Sequence, residues 1–312
     1  MASNNFWQTT KKPILALAPM AGFSDSAFRQ VVSKYGADVV YSEMASVTAL
    51  FYNKTATLEL LRFNKRKEKN YVVQLFGSNP EHFALATKIV TKEIKPQGID
   101  INFGCPVGKI IKQGAGAELM SNLEKAHAVI AAVCANTNLP VSIKIRTKSG
   151  EVGALDFLKS ISDLPVSAVM IHGRSLKQGF AGEIDYDLIK EAKQIFKGII
   201  LANGGINNLP QAKKTLELSG ADGLGLARGI LGRPWLFSEI KKNKEKDLDI
   251  KEISKIILRH AKLCEKLKGK NAMIELRKHL CWYVQGISGA STYRSRLVKA
   301  ESYQDVKNIF KL

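Results

Sequence analysis

The chain has 312 residues, 45% of them hydrophobic, and a formal net charge of +19 at pH 7. This length fits one large α/β barrel or a barrel with an added domain, since such barrels commonly take about 250 residues. No window approaches the roughly 18 uninterrupted apolar residues of a membrane-spanning helix, and the N-terminus lacks the apolar segment of a signal peptide. We therefore expect a cytoplasmic protein without a membrane partner.

The four cysteines are scattered along the chain. They form no CxxC pair, and no histidines stand near them at metal-binding spacing, which argues against a disulfide framework and a zinc site. We expect reduced thiols and no bound metal.

Positive charge is concentrated in the last quarter of the chain. Residues 241–312 contain 18 Lys and Arg against 8 Asp and Glu, so they carry +10 of the total +19. Such a segment favours a polyanionic partner, most commonly nucleic acid, although a solvated lysine-rich surface would have the same composition.

Apolar runs of strand length alternate with helical patterns through the first 230 residues. The predicted strands are 14–18, 39–42, 71–76, 98–103, 141–145, 168–172, 199–203 and 223–227. The predicted helices are 24–35, 80–94, 122–136, 154–162, 186–195 and 209–219, whereas 46–57 has no clear helical pattern. Strand and helix alternating eight times predict a TIM (β/α)8 barrel.

Beyond Phe237 the regularly spaced glycine-containing turns end, and a lysine-rich stretch follows at 241–251. This change predicts a barrel domain over residues 1–243 and an all-helical C-terminal domain over 244–312. Helical periodicity is present at 253–266 and 273–285, and residues 295–312 supply one or two further short helices.

Residues that follow the strands of such a barrel lie at its catalytic face. Strand four leads into Phe103-Gly104-Cys105-Pro106, a turn that places Cys105 at a strand end, where it is either a small packing residue or a reactive thiol. Glycine-containing turns after the last two strands, 203–205 and 227–229, are typical of a phosphate site.

Lys144 and His172 lie on adjacent predicted strands. A lysine inside a buried strand is costly unless an anion or a polar ring meets it, so Lys144 indicates a ligand. His172 fits the same site, but a satisfied core histidine is the alternative.

Several blocks of the sequence resemble those of the tRNA-dihydrouridine synthases. They are residues 18–22, 41–44, 74–77, the cysteine segment 100–120, 144–146, 172–174 and 229–237, and residues 277–283 are similar to the bacterial B-type members. The resemblance covers nearly the whole chain. It implies a monomeric barrel that carries FMN and reduces uridine in tRNA, in the D-loop, with NADPH, and a helical domain that binds the tRNA.

Carried over by position, the resemblance assigns FMN contacts to eleven residues of the barrel. These are Pro19, Met20, Ala21, Gln74, Lys144, His172, Asn203, Gly204, Gly205, Ala227 and Arg228. A positive Lys144 at the pyrimidine edge would stabilise charge on the reduced flavin. Asn102 is expected to face the uracil edge and Arg174 the substrate nucleotide.

Cys105 is expected to be the proton donor. Hydride delivered from flavin N5 to C6 of uracil leaves enolate charge that needs a proton at C5, and a thiol still holds its proton near neutral pH. An apolar setting beside Phe103 and Pro106 would favour the neutral thiol.

The target base must leave its helical stack to be reduced, and phosphate binding by the basic tail offsets that cost. The expected phosphate contacts are Arg277, Lys278, His279, Arg294 and Arg296. For Trp282 and Tyr283 we favour packing between the domains over base stacking.

Two other functions remain open at this point. One is a flavin enzyme for small pyrimidines, of the dihydroorotate or dihydropyrimidine type, which would leave the basic tail without a purpose. The other is an RNA-binding barrel without catalytic activity, in which Cys105, Lys144 and His172 would have no joint role.

Overall fold

The computed structural model describes residues 5–269 and 272–310. Its centre is a ring of eight parallel strands. They are β1 Ile14–Leu17, β2 Val39–Tyr41, β3 Tyr71–Phe76, β4 Gly98–Asn102, β5 Val141–Arg146, β6 Val166–His172, β7 Ile199–Asn203 and β8 Gly223–Leu226. Each strand pairs with its neighbours in sequence, and β1 pairs with β8, which closes the barrel. The predicted TIM barrel is confirmed.

Alternate residues of the strands pack on opposite sides of the barrel wall, as the two-residue period of a strand requires. Ile14 and Ala16 belong to the cluster that fills the barrel interior, together with Phe6 and Trp7 from the N-terminal helix Phe6–Thr9. Leu15 and the other outward residues pack against the surrounding helices.

One principal helix follows each strand except β2. These helices are α1 Ser26–Lys34, α2 Pro80–Ile89, α3 Leu123–Cys134, α4 Ala154–Ser160, α5 Tyr186–Ile195, α6 Leu209–Ser219 and α7 Leu236–Lys242. Two short helices, Val47–Tyr52 and Thr55–Leu60, follow β2, where the sequence pattern is ambiguous. Asp25, Asn79, Asn122, Asp185 and Asn208 cap helix N-termini with their side chains, so most predicted starts are close.

Shorter elements complete the barrel face. A π-helical turn, Val90–Ile94, continues α2, and the short helices Gly108–Ile111 and Ala117–Met120 lie between β4 and α3. A small hairpin pairs Lys148–Ser149 with Val152–Gly153 after β5, the two residues Ala45–Ser46 extend the sheet beside β3, and a 3₁₀ turn, Arg228–Ile230, follows β8.

The described part of the tail forms four helices, α8 Ile250–Lys268, α9 Ala272–Tyr283, α10 Ala290–Leu297 and α11 Tyr303–Phe310. A capping box between Asp249 and Glu252 starts α8 earlier than its apolar periodicity predicts. The tail helices share their own hydrophobic cluster, which also takes in Ala27 and Val31 of α1 and Trp235. The tail is therefore packed onto the barrel through α1, and the domain boundary at residue 243 stays a prediction.

None of the described helices is long and apolar enough to cross a membrane. The described residues also contain no group of three or more His, Cys, Asp or Glu side chains placed to hold a metal ion.

Candidate active site

A cleft of about 520 Å³ opens at the carboxyl ends of the barrel strands. It is lined by every barrel residue that the sequence assigned to cofactor, catalysis or substrate, from Pro19 to Arg228. Residues from many strand ends meet there because all eight strands are parallel and end at the same face. The roles of the individual residues stay predictions.

The floor of the cleft is a buried chain of hydrogen bonds that joins β3, β4 and β5. Asp100 accepts from Ser142 Oγ at 2.6 Å and from Gln74 Nε2 at 2.7 Å, and Gln74 Oε1 accepts from Asn102 Nδ2 at 2.9 Å. Burial raises the pKa of Asp100 to about 6, while the two hydrogen bonds and Lys144 oppose that rise. The sequence analysis gave Asp100 no role, although it lies in the cysteine segment.

Asn102 connects this floor to the loop that carries Cys105. Its Oδ1 accepts from the backbone N–H groups of Gly104 at 3.1 Å and Cys105 at 2.9 Å. Both ends of the amide are thereby engaged within the protein, so Asn102 fixes the orientation of the cysteine turn. Its expected contact with the uracil edge stays a prediction.

Cys105 is half-buried at the cleft wall. The apolar setting expected beside Phe103 and Pro106 stays a prediction: Pro106 lines the cleft next to Cys105, whereas Phe103 is fully buried, with its ring centre 5.1 Å from that of Phe157. The charged neighbours of Cys105 are Lys144 and Arg146. Arg146 also braces the loop, since its Nε donates to the Gly104 carbonyl at 2.8 Å.

Lys144 projects into the cleft from β5, and burial and the neighbouring Arg146 lower its pKa to about 8. Within residues 5–269 and 272–310, no protein acceptor binds its ammonium group. Lys144 is half-buried and lines the cleft, where a ligand oxygen or nitrogen would supply the acceptor that its ammonium group lacks.

His172 is neutral. Burial, together with Lys144 and Arg146, lowers the pKa of His172 to about 3. An Arg146 terminal nitrogen lies 3.5 Å from His172 Nδ1, but its two hydrogens are donated to the Ser175 and Gly179 carbonyls at 3.0 Å each. His172 is therefore a neutral imidazole with one N–H donor and one acceptor nitrogen at the end of β6.

The turn after β7 brings bare backbone close to that imidazole ring. Gly204 has φ +112°, and a Cβ there would lie 2.9 Å from Ile184 Cδ1 and 3.2 Å from His172 Nε2. No larger residue fits this conformation without displacing its neighbours. Gly205 continues the turn with φ +68°. The backbone here is open to a ligand that approaches closely.

Arg228 stands beside this turn, and its guanidinium lies 4.0 Å from the ring centre of Phe180. Phe180 is 55% exposed on the loop between β6 and α5, and it also lines the cleft. Sequence reasoning missed Phe180, because a lone aromatic residue in a loop has no periodicity that separates it from its neighbours.

The expected phosphate contacts of the tail fall into two groups. Lys278, Arg294 and Arg296 are exposed, and the Lys278 ammonium lies 5.0 Å from the ring centre of Phe23, which lines the cleft. Arg277 is half-buried, and its Nε donates to the Ala300 carbonyl. These four residues remain candidates for phosphate binding.

The prediction for His279 is wrong. Its side chain is only 2% exposed, and its ring centre lies 4.7 Å from that of Phe28 and 4.8 Å from that of His260. The buried residues of α9 are Ala272, Met273, Leu276, His279, Leu280 and Tyr283. This is the spacing of an apolar helix face, so the signal that His279 points inward is present in the sequence.

The fold and the cleft define a TIM-barrel enzyme whose site lies at the carboxyl ends of the strands. Solved structures with this fold include an old yellow enzyme homologue from Zymomonas mobilis, with a TM-score of 0.55 and 12% identity over 76% of this chain and 90% of that one. A 2-naphthoyl-CoA reductase gives a TM-score of 0.59 and 11% identity over 74% and 50% of the two chains.

The family model for dihydrouridine synthases matches residues 16–311. A probable tRNA-dihydrouridine synthase 1 from Synechocystis is 31% identical over 300 residues, which cover 94% of this chain and 84% of the relative. A tRNA-dihydrouridine synthase B from Vibrio cholerae is 34% identical over 288 residues, which cover 90% and 89%. The chain belongs to the dihydrouridine synthase family, so the resemblance and the expected oxidoreductase class are confirmed.

Proposed function

We propose that the protein reduces uridine to 5,6-dihydrouridine in the D-loop of tRNA, with FMN as its cofactor and NADPH as the reductant. The observation that carries this proposal is the composition of the cleft: Cys105, Lys144 and His172 line one cavity at the carboxyl ends of the barrel strands. Membership of the family and the names of the relatives support the same reaction.

The residues of the cleft fit a flavin mononucleotide. Lys144 supplies an ammonium group and His172 a neutral imidazole with one N–H, which suit the electron-rich pyrimidine edge of a flavin. Gly204 and Gly205 present open backbone beside Arg228, which suits a phosphate. When bound, the flavin supplies the hydride that C6 of uracil accepts.

Cys105 supplies the proton that completes the reduction. The thiol Sγ–H transfers its proton to C5 of uracil, and the resulting thiolate lies among the cations Lys144 and Arg146, which stabilise it. Asn102 and Arg146 hold the loop in place by their hydrogen bonds to its backbone.

Arg174 and the tail bring the RNA to the cleft. Arg174 lines the cleft and is held by its Nε donating to the Gly182 carbonyl at 2.8 Å. Lys278 lies over Phe23 at the rim, so a phosphate bound there is next to the opening. A free pyrimidine would need neither feature, which favours RNA as the substrate.

The test is to map dihydrouridine in tRNA from cells with and without the gene, and after complementation with wild type or Cys105→Ala. We expect D-loop dihydrouridine to disappear, and to return with wild type but not with Cys105→Ala. Unchanged dihydrouridine in the deletion strain contradicts the proposal. Purified enzyme that reduces free uridine as well as tRNA would instead indicate a small-molecule flavin enzyme.

A further inference from the structure

Asp100 is a fully buried carboxylate on β4 to which the proposed reaction assigns no role. The strand register places Gln74 of β3 and Ser142 of β5 directly beside it. Gln74 Nε2 and Ser142 Oγ donate to different carboxylate oxygens, at 2.7 and 2.6 Å. Burial raises the pKa of Asp100 to about 6, so at neutral pH it is ionised and can only accept hydrogen bonds. Both neighbours are therefore held with a donor atom towards Asp100.

The direction of the hydrogen bonds that lead away from Asp100 follows from this. Because the Gln74 nitrogen faces Asp100, its Oε1 faces Asn102 and accepts from Asn102 Nδ2 at 2.9 Å. Asn102 Oδ1 is then directed at the N–H groups of Gly104 and Cys105. A reversed Gln74 amide would bring two acceptors together at Asp100 and two donors together at Asn102. An acceptor-only group at the start of the chain thus sets the orientation of both amides.

The cysteine turn is held from two sides. Asn102 binds its N–H groups at Gly104 and Cys105. The Gly104 carbonyl accepts from Arg146 Nε at 2.8 Å, and the Cys105 carbonyl accepts from the Ala117 N–H at 3.1 Å. Without the contacts of Asn102, the turn would be fixed through its carbonyl groups alone. The hydrogen-bond chain therefore supplies one of the two supports of the residue that donates the proton.

Asp100 also acts on Lys144 through its charge. The carboxylate opposes the fall in the pKa of Lys144 that burial and Arg146 cause. This electrostatic effect can be separated from the orientation of the amides. Asp100→Asn removes the charge but keeps an oxygen that can accept from Gln74 and a nitrogen that can donate to the Ser142 hydroxyl.

We propose that Asp100 is a positioning residue for uridine reduction, which acts through Gln74 and Asn102 to hold Cys105 where its thiol can protonate C5 of uracil. This inference rests on the proposed function. Asp100 does not line the cleft, so it reaches the reacting atoms only through the two amides. Gln74 Nε2 has two hydrogens, and donation of one to Asp100 leaves the other for the expected contact with FMN.

The test compares Asp100→Leu and Asp100→Asn in the cofactor-loaded, full-length protein, by single-turnover oxidation of the pre-reduced enzyme with an unmodified tRNA transcript. Asp100→Leu keeps the branched shape but removes both acceptors, and the rate should fall by about 10- to 100-fold because the thiol is displaced. Asp100→Asn should stay within a few-fold of wild type. Flavin content, flavin reduction by NADPH and tRNA affinity should not change in either variant.

Combination with Cys105→Ala separates positioning from a general structural effect. If Asp100 acts through Cys105, Asp100→Leu should not slow the Cys105→Ala protein any further. Asp222→Leu is the matched control. Asp222 is also a buried carboxylate, but it lies just before β8, outside the cleft, and accepts from the Ile200 N–H at 2.9 Å. Its substitution should lower stability without changing the single-turnover rate.

If Asp100→Leu does not fold, Asp100→Ser takes its place in both comparisons. Its hydroxyl keeps a polar group beside Ser142 but is one bond too short to stay at the Gln74 nitrogen, so the same loss of rate is expected.

A wild-type rate in the variant that removes the acceptor overturns the inference. A loss in Asp100→Asn as large as in Asp100→Leu also overturns it, because charge and not orientation would then be responsible. A loss that persists in the Cys105→Ala protein overturns it as well. Failure of the proposed function is distinct, since the wild-type protein would then form no dihydrouridine or Cys105→Ala would be as fast as wild type.

Discussion

Lys144 and His172 lie at the same face of the barrel but differ in charge at neutral pH. Burial and neighbouring cations act on both, but the pKa of Lys144 falls only to about 8, whereas that of His172 falls to about 3. At neutral pH the lysine is charged and the histidine is a neutral donor. The cleft thus carries a positive charge at one position and a neutral hydrogen-bond donor at the next.

Lys144→Met should lower the rate of uridine reduction by about 100-fold, because a preorganised charge at the reacting ring is lost. The wild-type rate should fall as pH rises above about 8, where Lys144 loses its proton. A bound anionic group would move this decrease in rate to higher pH. The alkaline decrease in rate should be absent in the variant. The measurement is the single-turnover rate from pH 6 to 10.

Lys148→Met, on the exposed hairpin after β5, is the matched control and should keep both the wild-type rate and its decrease at alkaline pH. The same alkaline decrease in Lys144→Met would show that another group causes it. In the cofactor-free protein, stability should rise from about pH 8 towards 10.5, because the unfolded chain binds the Lys144 proton more strongly than the folded one.

The contact between α8, α9 and α1 is built around two buried histidines. The ring centres of His260 and Phe28 are 5.6 Å apart, and the pKa of Asp25 is lowered to about 2 because Lys268 and His260 outweigh the effect of burial. Burial lowers the pKa of His260 to about 4, against the pull of Asp25, and burial and His260 lower that of His279. Both histidines are therefore neutral in the folded protein.

The free energy of unfolding should decrease as pH falls from about 6.5 to about 4, because in this range the histidines bind protons in the unfolded chain but not when buried in the folded one. For His260 the total decrease in the free energy of unfolding is on the order of 3 kcal/mol, since each pKa unit is worth about 1.4 kcal/mol. Urea unfolding at pH 7.5 and pH 4.5 measures it. His260→Asn should reduce the pH dependence.

An equal pH dependence in wild type and His260→Asn would show that the tail contact does not titrate. An equal loss of stability in the variant at both pH values would not contradict the neutral state of His260. Only the difference between the free energies of unfolding at pH 7.5 and pH 4.5 measures the proton uptake.

The elements themselves follow closely from the sequence. Tyr186–Ile195 and Leu209–Ser219 have the predicted bounds, because Asp185 and Asn208 cap their starts. The apolar runs of strand length likewise predict all eight barrel strands. The hairpin at 148–153 is not predicted, since its strands are two residues each and have no measurable period.

Side-chain environments are harder to predict than elements. Strand ends identify which residues reach the cleft, but not that the Asn102 amide is engaged by Gln74 and the cysteine turn. The contact with Gln74 depends on the register between β3 and β4, which no single segment encodes, whereas the contact with the cysteine turn lies within residues 102–105. For His279 the sequence does contain the information. Its spacing from the apolar residues of its helix predicts a buried side chain, although its polar residue type and its basic neighbours Arg277 and Lys278 suggest an exposed one.

At the scale of the whole molecule, the tail and the barrel share a core. Ala27, Val31 and Trp235 belong to the same hydrophobic cluster as the tail helices. Removing the tail would expose them, so a truncated barrel is a poor probe of RNA binding. Single charge substitutions test the role of the tail without disturbing this packing.

The affinity for tRNA should fall steeply with salt, with a log–log slope of roughly 0.7 to 0.9 for each phosphate neutralised. Lys278→Ala and Arg294→Ala should each reduce that slope by about this amount if each contacts one phosphate. Equilibrium binding between 50 and 300 mM salt, on the order of the physiological range, measures the slope. Lys214→Ala on α6, also exposed, should leave it unchanged.

A slope that is unaffected in the Lys278 and Arg294 variants would place the RNA on another face of the protein. A slope near zero in the wild type would mean that the positive charge of the tail serves a purpose other than binding RNA.

The most direct test of the central claim is the single-turnover oxidation of pre-reduced enzyme by unmodified tRNA, compared among wild type, Cys105→Ala and Cys105→Ser. Cys134→Ala, a half-buried thiol on α3 outside the cleft, is the control. If Cys105 donates the proton to C5, both Cys105 variants should be about 10²- to 10⁴-fold slower, with normal flavin reduction by NADPH and little change in tRNA affinity. Near wild-type rates in both would contradict the account and leave Cys105 a packing residue.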